Sequence, residues 1–142
     1  IVVGVSAQAQ QTPKPAAASD QITVYRVTTC TCCSKWMDHL EAPGFAVQEQ
    51  IVETRDAAPP RKRVPEKLRT CHTAIVGGYV VEGHVAAPII DRLLRERPTI
   101  RGISLPGMPQ GSPGMTGTKT EPFRIYEIAE RPSGEPRVFA ID

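Results

Sequence analysis

The chain has 142 residues, a net charge of +2 and an apolar content of 40%, which suits one globular core with loop-rich ends. Its Lys and Arg are scattered and aromatics make up only 5%, so it lacks both the dense basic face and the stacking surface that nucleic-acid binding needs. No run reaches the ~18 apolar residues of a membrane span.

Residues 1–9, Ile1 to Ala9, read as the end of an apolar signal-peptide core with a small-x-small cleavage site at Ala7-Gln8-Ala9, which predicts export. Residues 10–20, made mostly of Gln, Thr, Pro, Lys, Ala and Ser, read as a flexible spacer. Outside the cytosol, thiols drift to disulfides unless a metal holds them.

Ile22 to Val27 is a β-branched run of strand length. Cys33, Trp36, Met37 and Leu40 then recur at helical spacing, giving a helix that begins near Cys33 and is stopped by Pro43-Gly44. Phe45 to Val52 alternates as a second strand, and Glu53 to Arg63 is a charged, Pro-rich loop. Val64 to Leu68 predicts a short helix with Pro65 in its first turn. Thr73–Val76, a turn at Gly77-Gly78 and Tyr79–Val85 make a hairpin. Ala87 to Glu96 is an amphipathic helix with Ile89, Ile90, Leu93 and Leu94 on one face. Leu105 to Met115 is a Pro/Gly loop, after which Phe123–Ile128 and Arg137–Ile141 pair as a C-terminal β-hairpin extension. The succession β, α, β, short α, β, β, α predicts an α/β fold with a thioredoxin-like mixed sheet flanked by helices.

Chemistry concentrates in the sulfurs. Cys30, Cys32 and Cys33 lie within four residues, where disulfides would close loops too short to stabilise a fold much. Such crowding instead makes a multidentate soft-ligand site. At the start of a helix, the unpaired N–H groups and the dipole favour thiolate, with Lys35 close in sequence to assist. Cys71 precedes the third strand, whose leading loop faces the first-strand loop in a thioredoxin-like layout. Cys71 then completes a four-sulfur metal set, with His72 as a further donor or an orienting neighbour. Vicinal Cys32 and Cys33 cannot both meet one ion tetrahedrally without strain, whereas bridging thiolates accommodate several Cu(I) ions. The spacing is not that of a zinc ribbon. A bland reading stays open beside this one: a Cys30–Cys33 disulfide, a free Cys32, a buried structural Cys71 and a capping His72. His39 and His84 read as solvated or structural. Met37 reads as core, and Met108 and Met115 as loop residues rather than thioether ligands.

In order along the chain, Thr29-Cys30-Thr31-Cys32-Cys33, Trp36, Cys71-His72-Thr73-Ala74, Gly78 to Val85, Pro106-Gly107-Met108-Pro109 and Gly111 to Met115 together resemble the CopG-type copper-resistance proteins, a family long catalogued as a bacterial domain of unknown function. The resemblance spans about residues 22–128. It implies a thioredoxin-like fold, a periplasmic location and a Cu(I)–thiolate cluster held by Cys30, Cys32, Cys33 and Cys71. On this reading residues 21–130 form the metal-binding domain and 131–142 a strand extension.

The expected function is thus a periplasmic Cu(I) protein in copper resistance, buffering the ion or exchanging it with other envelope copper-handling proteins, with copper-linked redox activity left open. The alternative is a metal-free thiol–disulfide oxidoreductase using Cys30 and Cys33. Against it, thioredoxin-type exchange sites face a cis-proline, where this chain has Cys71-His72-Thr73. A disulfide-stapled envelope protein acting through a partner is a third reading.

Overall fold

The computed structural model describes residues 21–142, so the signal-peptide and spacer readings of residues 1–20 lie outside the described residues. Seven strands form one mixed sheet: β1 (Gln21–Arg26), β2 (Ala46–Ile51), β3 (Thr73–Val76), β4 (Tyr79–Gly83), β5 (Gly102–Leu105), β6 (Arg124–Ile128) and β7 (Val138–Ile141). Their order across the sheet is β2-β1-β3-β4-β5-β6-β7. The two helices are α1 (Thr31–Glu41) and α2 (Ala87–Glu96). The β1–β2 and β4–β5 pairs are parallel, and each is joined through a helix, as parallel neighbours require. The other pairs are antiparallel. The α/β class expected from the sequence is therefore observed.

The period-2 strand pattern and the 3.6 helical pattern meet on one face of the sheet. Trp36, Met37 and Leu40 of α1 and Ile90 and Leu93 of α2 share a core with Ile22, Val24, Ala74, Val76, Val81, Ile103 and Ile125. Each fully buried aliphatic side chain there is worth about 1.5–3 kcal/mol. The other face is covered by the stretch read as a charged loop and a short helix. It winds into 3-10 turns at Arg55–Ala57, Pro59–Arg63 and Glu66–Leu68, and Val64 and Leu68 pack on Val80 and Ile128. With both faces covered, every residue of β4 is buried. Among the described residues no helix is long and apolar enough to cross a membrane.

Two boundaries differ from the sequence reading. The first helix begins at Thr31 rather than near Cys33. In addition, Gly102–Leu105 forms a strand, β5, between α2 and the Pro/Gly loop. Its four residues carry no visible alternation, because all four are buried. Gly102 sits where a Cβ would run into the Val80 carbonyl, so the residue that looks like a strand breaker is what lets β5 approach β4.

Candidate metal centre

The turn between β1 and α1 is pinned by backbone and by charge. Cys30 N–H donates to Val27 O at 3.1 Å. The Arg26 guanidinium donates to the carbonyls of Val27 and Cys30, each at 3.3 Å. Cys30 is the N-cap of α1 and has no side-chain capping bond, so Thr31, Cys32 and Cys33 form the first turn, which holds no acidic side chain. The three sulfurs thus sit at the positive end of the helix dipole. Lys35 points to solvent on α1, and the cation that touches the cysteine turn is Arg26.

Cys71 reaches this turn from the start of β3. Its Sγ lies 3.8 Å from Cys33 Sγ and 3.9 Å from Cys32 Sγ, and Cys32 Sγ lies 3.7 Å from Cys30 Sγ. All four sulfurs fall within 4.8 Å of one another, so the convergence expected from the sequence is observed. Cys30 and Cys33, with Cα atoms 5.5 Å apart, are joined as a disulfide. Cys32, half-buried, and Cys71, buried, are free thiols. Four convergent sulfurs and a disulfide inside the set are one arrangement in its oxidised form.

The segment that carries Cys71 and His72 is clamped by a buried ion pair. Glu82 of β4, fully buried, accepts from Arg61 Nη1 at 3.1 Å, from Thr70 N at 2.7 Å and from Thr73 Oγ1 at 2.6 Å. Arg61 Nη2 donates to Thr70 O at 2.9 Å. Residues 70 and 73 are therefore held on either side of the two candidate ligands. Burial pushes the Glu82 carboxyl upward against the pull of its threonine donors and Arg61.

Two histidines complete the cluster. His72 Nε2 lies 3.0 Å from Gly83 O, and His84 Nδ1 lies 2.6 Å from Pro113 O. A carbonyl only accepts, so each of these nitrogens carries the proton. The unprotonated nitrogens turn to sulfur: His72 Nδ1 is 3.2 Å from Cys33 Sγ and 3.3 Å from Cys71 Sγ, and His84 Nε2 is 3.5 Å from Cys71 Sγ. Trp36 walls this side. Its ring stacks on His72 at 4.4 Å, and its Nε1 donates to Val85 O at 2.8 Å. Of the two readings of His84, solvated or structural, its full burial beside the sulfurs leaves out the solvated one. Its neighbours in the sequence alternate as a strand and say nothing of a ligand. The usable signal is that a tight hairpin folds it back toward Cys71-His72.

The Pro/Gly loop after β5 closes over the site. From this loop, half-buried Met108 packs against the cluster of Cys30, Cys33 and Cys71. Gly114 has φ +85, and a Cβ there would come 2.7 Å from Trp36 N and 3.0 Å from Cys32 O, so only glycine lets the loop lie on the first turn of α1.

Burial, then the neighbouring Cys32, pushes the Cys71 thiol up to about 12. Burial likewise holds His72 down to about 3 and lowers His84. The imidazoles are thus neutral, and Cys71 keeps its proton until a cation displaces it. Neutral imidazoles and thiols gathered at one largely buried place are a donor set compatible with a soft metal ion.

The profile of a family described as "Protein of unknown function, DUF411" matches residues 68–115, a span that holds Cys71, His72, His84 and Met108. Two solved structures of a copper resistance protein CopG, forms 1 and 2, are each 39% identical to this chain. Each alignment covers 86% of this chain, with 96% of form 1 at TM-score 0.75 and 97% of form 2 at TM-score 0.76. No curated protein matches the chain.

Proposed function

This chain belongs to the CopG family of copper-resistance proteins, and on that premise we propose that it holds Cu(I) in a thiolate cluster made by Cys30, Cys32, Cys33 and Cys71. The carrying observation is the meeting of four sulfurs within 4.8 Å from segments 38 positions apart. Soft thiolates select Cu(I), and their bridging habit suits more than one ion in so small a volume. Binding requires the Cys30–Cys33 disulfide to take up two electrons and two protons from a thiol reductant, after which the metal displaces the thiol protons. His72 is the residue proposed to assist from outside the sulfur set. The role is copper resistance in the periplasm, with export read from residues 1–9 and Cu(I) buffered or passed to other envelope copper-handling proteins.

Reduced protein loaded with Cu(I) and counted by metal analysis tests this. We expect more than one tightly held copper per chain, and a large loss in a Cys30→Ser/Cys33→Ser variant. Less than one copper per chain, or an affinity unmoved by that variant, ends the reading.

The Cys30–Cys33 disulfide, with two free thiols within 4 Å of it, favours a second reading as a thiol–disulfide oxidoreductase. The high thiol pKa of Cys71, pushed to about 12, weighs against it, since exchange needs thiolate. Disulfide shuffling at ordinary rates that a Cu(I) chelator leaves untouched would favour exchange over copper binding.

A further inference from the structure

We propose that half-exposed Cys32 is the sulfur at which Cu(I) enters, and that the uncharged collar around it is a docking surface for a protein carrying Cu(I) on exposed thioethers. The proposal rests on the copper reading above and deepens it by assigning the entry ligand, the contact surface and the chemistry of the partner.

Accessibility singles out one sulfur. Cys30, Cys33 and Cys71 are buried, whereas Cys32 is a free thiol and only half-buried. Its Sγ lies 3.7 Å from Cys30 Sγ and 3.9 Å from Cys71 Sγ. An ion still held by its carrier therefore meets Cys32 first, and one exchange there puts it beside two further sulfurs. In the reduced chain the Cys32 thiol gives its proton to water as its Cu–S bond forms, and one Cu–S bond to the carrier breaks. No electron moves.

Two segments frame this sulfur. Residues 27–34 turn from β1 into α1, and residues 106–118 form the loop that lies on that turn, with Gly114 too close to Cys32 O and Trp36 N for a Cβ to fit. Neither segment contains an Asp, Glu, Lys, Arg or His, in a chain that is 23% charged. Thr28, Thr29, Thr31 and Gly107 are exposed there, and Met108 and Met115 are half-buried. Turn chemistry calls for Pro, Gly and small polar residues but does not exclude charge. The β6–β7 turn, also built on Pro and Gly, carries Glu130, Arg131, Glu135 and Arg137. A charge buried at a contact must be stripped of water, and interface centres are accordingly poor in charge and rich in Met. The collar has that composition.

Ligand chemistry selects the carrier. Soft sulfur ligands hold Cu(I), and an anionic thiolate attracts the cation where a neutral thioether does not. Passage from a thioether carrier to Cys32 therefore runs downhill. Outside the cytosol exposed thiols close into disulfides, so thioethers are the sulfur ligands that a carrier there can present unpaired.

Stopped-flow loading of the reduced full chain tests the proposal, with Cu(I) presented on an uncharged methionine-rich peptide or, in parallel, on a small thioether. Loading is read from the emission of Trp36, the one tryptophan of the chain, which stacks on His72 beside the sulfurs, and bound copper is counted at equilibrium. Thr29→Lys and Thr29→Glu place opposite charges at one exposed collar position. We expect both to slow loading from the peptide about ten-fold, with loading from the small thioether and the copper count unchanged. Thr99→Glu, exposed ahead of β5, should match wild type. Cys32→Ser should slow loading from the peptide more than Cys30→Ser, which replaces a buried sulfur by a residue suited to its N-cap place. Peptide rates unmoved by either charge, moved in opposite directions by the two, or slowed equally for peptide and small thioether overturn the docking surface. Equal slowing in Cys32→Ser and Cys30→Ser overturns the entry role. Each of these results leaves the thiolate cluster standing, whereas absence of bound copper at equilibrium overturns both readings.

Discussion

Half-buried Met108, with its backbone at φ +44, packs against the cluster of Cys30, Cys33 and Cys71. Replacing it by leucine keeps the volume and removes the thioether, so the stability cost should stay below about 1.5 kcal/mol. If the sulfur helps to hold the ion, Met108→Leu should weaken Cu(I) binding several-fold in competition against a chelator, while Met115→Leu leaves it unchanged. Equal affinities in wild type and Met108→Leu would reduce Met108 to packing. Residue by residue, the sequence exposes the sulfurs better than their partners. Cys30, Cys32 and Cys33 announce themselves by spacing, and Cys71-His72 by position before a strand. His84 and Met108 do not, because their meeting with the sulfurs is made by a hairpin register and a Pro/Gly loop. Lys35 was the nearest cation along the chain, but helical geometry turns it to solvent, and Arg26 makes the contact through the Val27 and Cys30 carbonyls.

Between elements, the stretch from Arg55 to Leu68 illustrates what periodicity misses. It is charged and Pro-rich, so it reads as a loop, yet it covers one face of the sheet and delivers Arg61 to Glu82. Removing one partner of a buried pair leaves the other charge unpaired, typically at about 3–5 kcal/mol. Arg61→Ala should therefore lower unfolding free energy by about that amount, and it should loosen copper binding because Thr70 and Thr73 flank Cys71-His72. Denaturant melts and metal competition on the same samples check this, and a loss under about 1 kcal/mol would mean the clamp is dispensable. β5 is illegible in the sequence for a related reason: a four-residue, fully buried strand opened by Gly102 has neither alternation nor length. A second inter-element tie is His39 of α1, whose Nε2 accepts from Ala87 N at 3.1 Å and so caps α2, where Ala86 offers no side-chain oxygen. Burial holds the His39 pKa below 6.5. The folded value thus lies under the unfolded one, so its contribution is complete above pH 6.5 and declines as pH falls through the folded value. His39→Gln, which keeps an acceptor that does not titrate, should flatten the acid side of the stability profile relative to wild type. Superimposable profiles would dismiss the cap.

On the scale of the molecule, the candidate ligands come from the start of α1, the start of β3, the end of β4 and the loop after β5. Those segments are far apart in the chain and meet only when the sheet, both helices and the covering loop are in place. An unfolded chain still offers the crowded Cys30, Cys32 and Cys33, but it cannot bring Cys71, His72 and His84 to them. Metal should therefore bind the folded state in preference, and that difference appears as stability. At a free Cu(I) level 1,000 times the dissociation constant, the gain is about 4 kcal/mol. For a domain of this size, each kcal/mol moves the melting midpoint by about 3–6 °C, so a rise of roughly 12–24 °C is expected. The comparison must use reduced protein on both sides, since the Cys30–Cys33 disulfide constrains the unfolded chain by itself. Calorimetry of the reduced protein with and without Cu(I), followed by a chelator that returns the midpoint to its starting value, measures the effect. Midpoints that coincide despite stoichiometric copper would mean the ion is held as well by the unfolded thiols as by the folded site, and that the fold does not assemble the cluster.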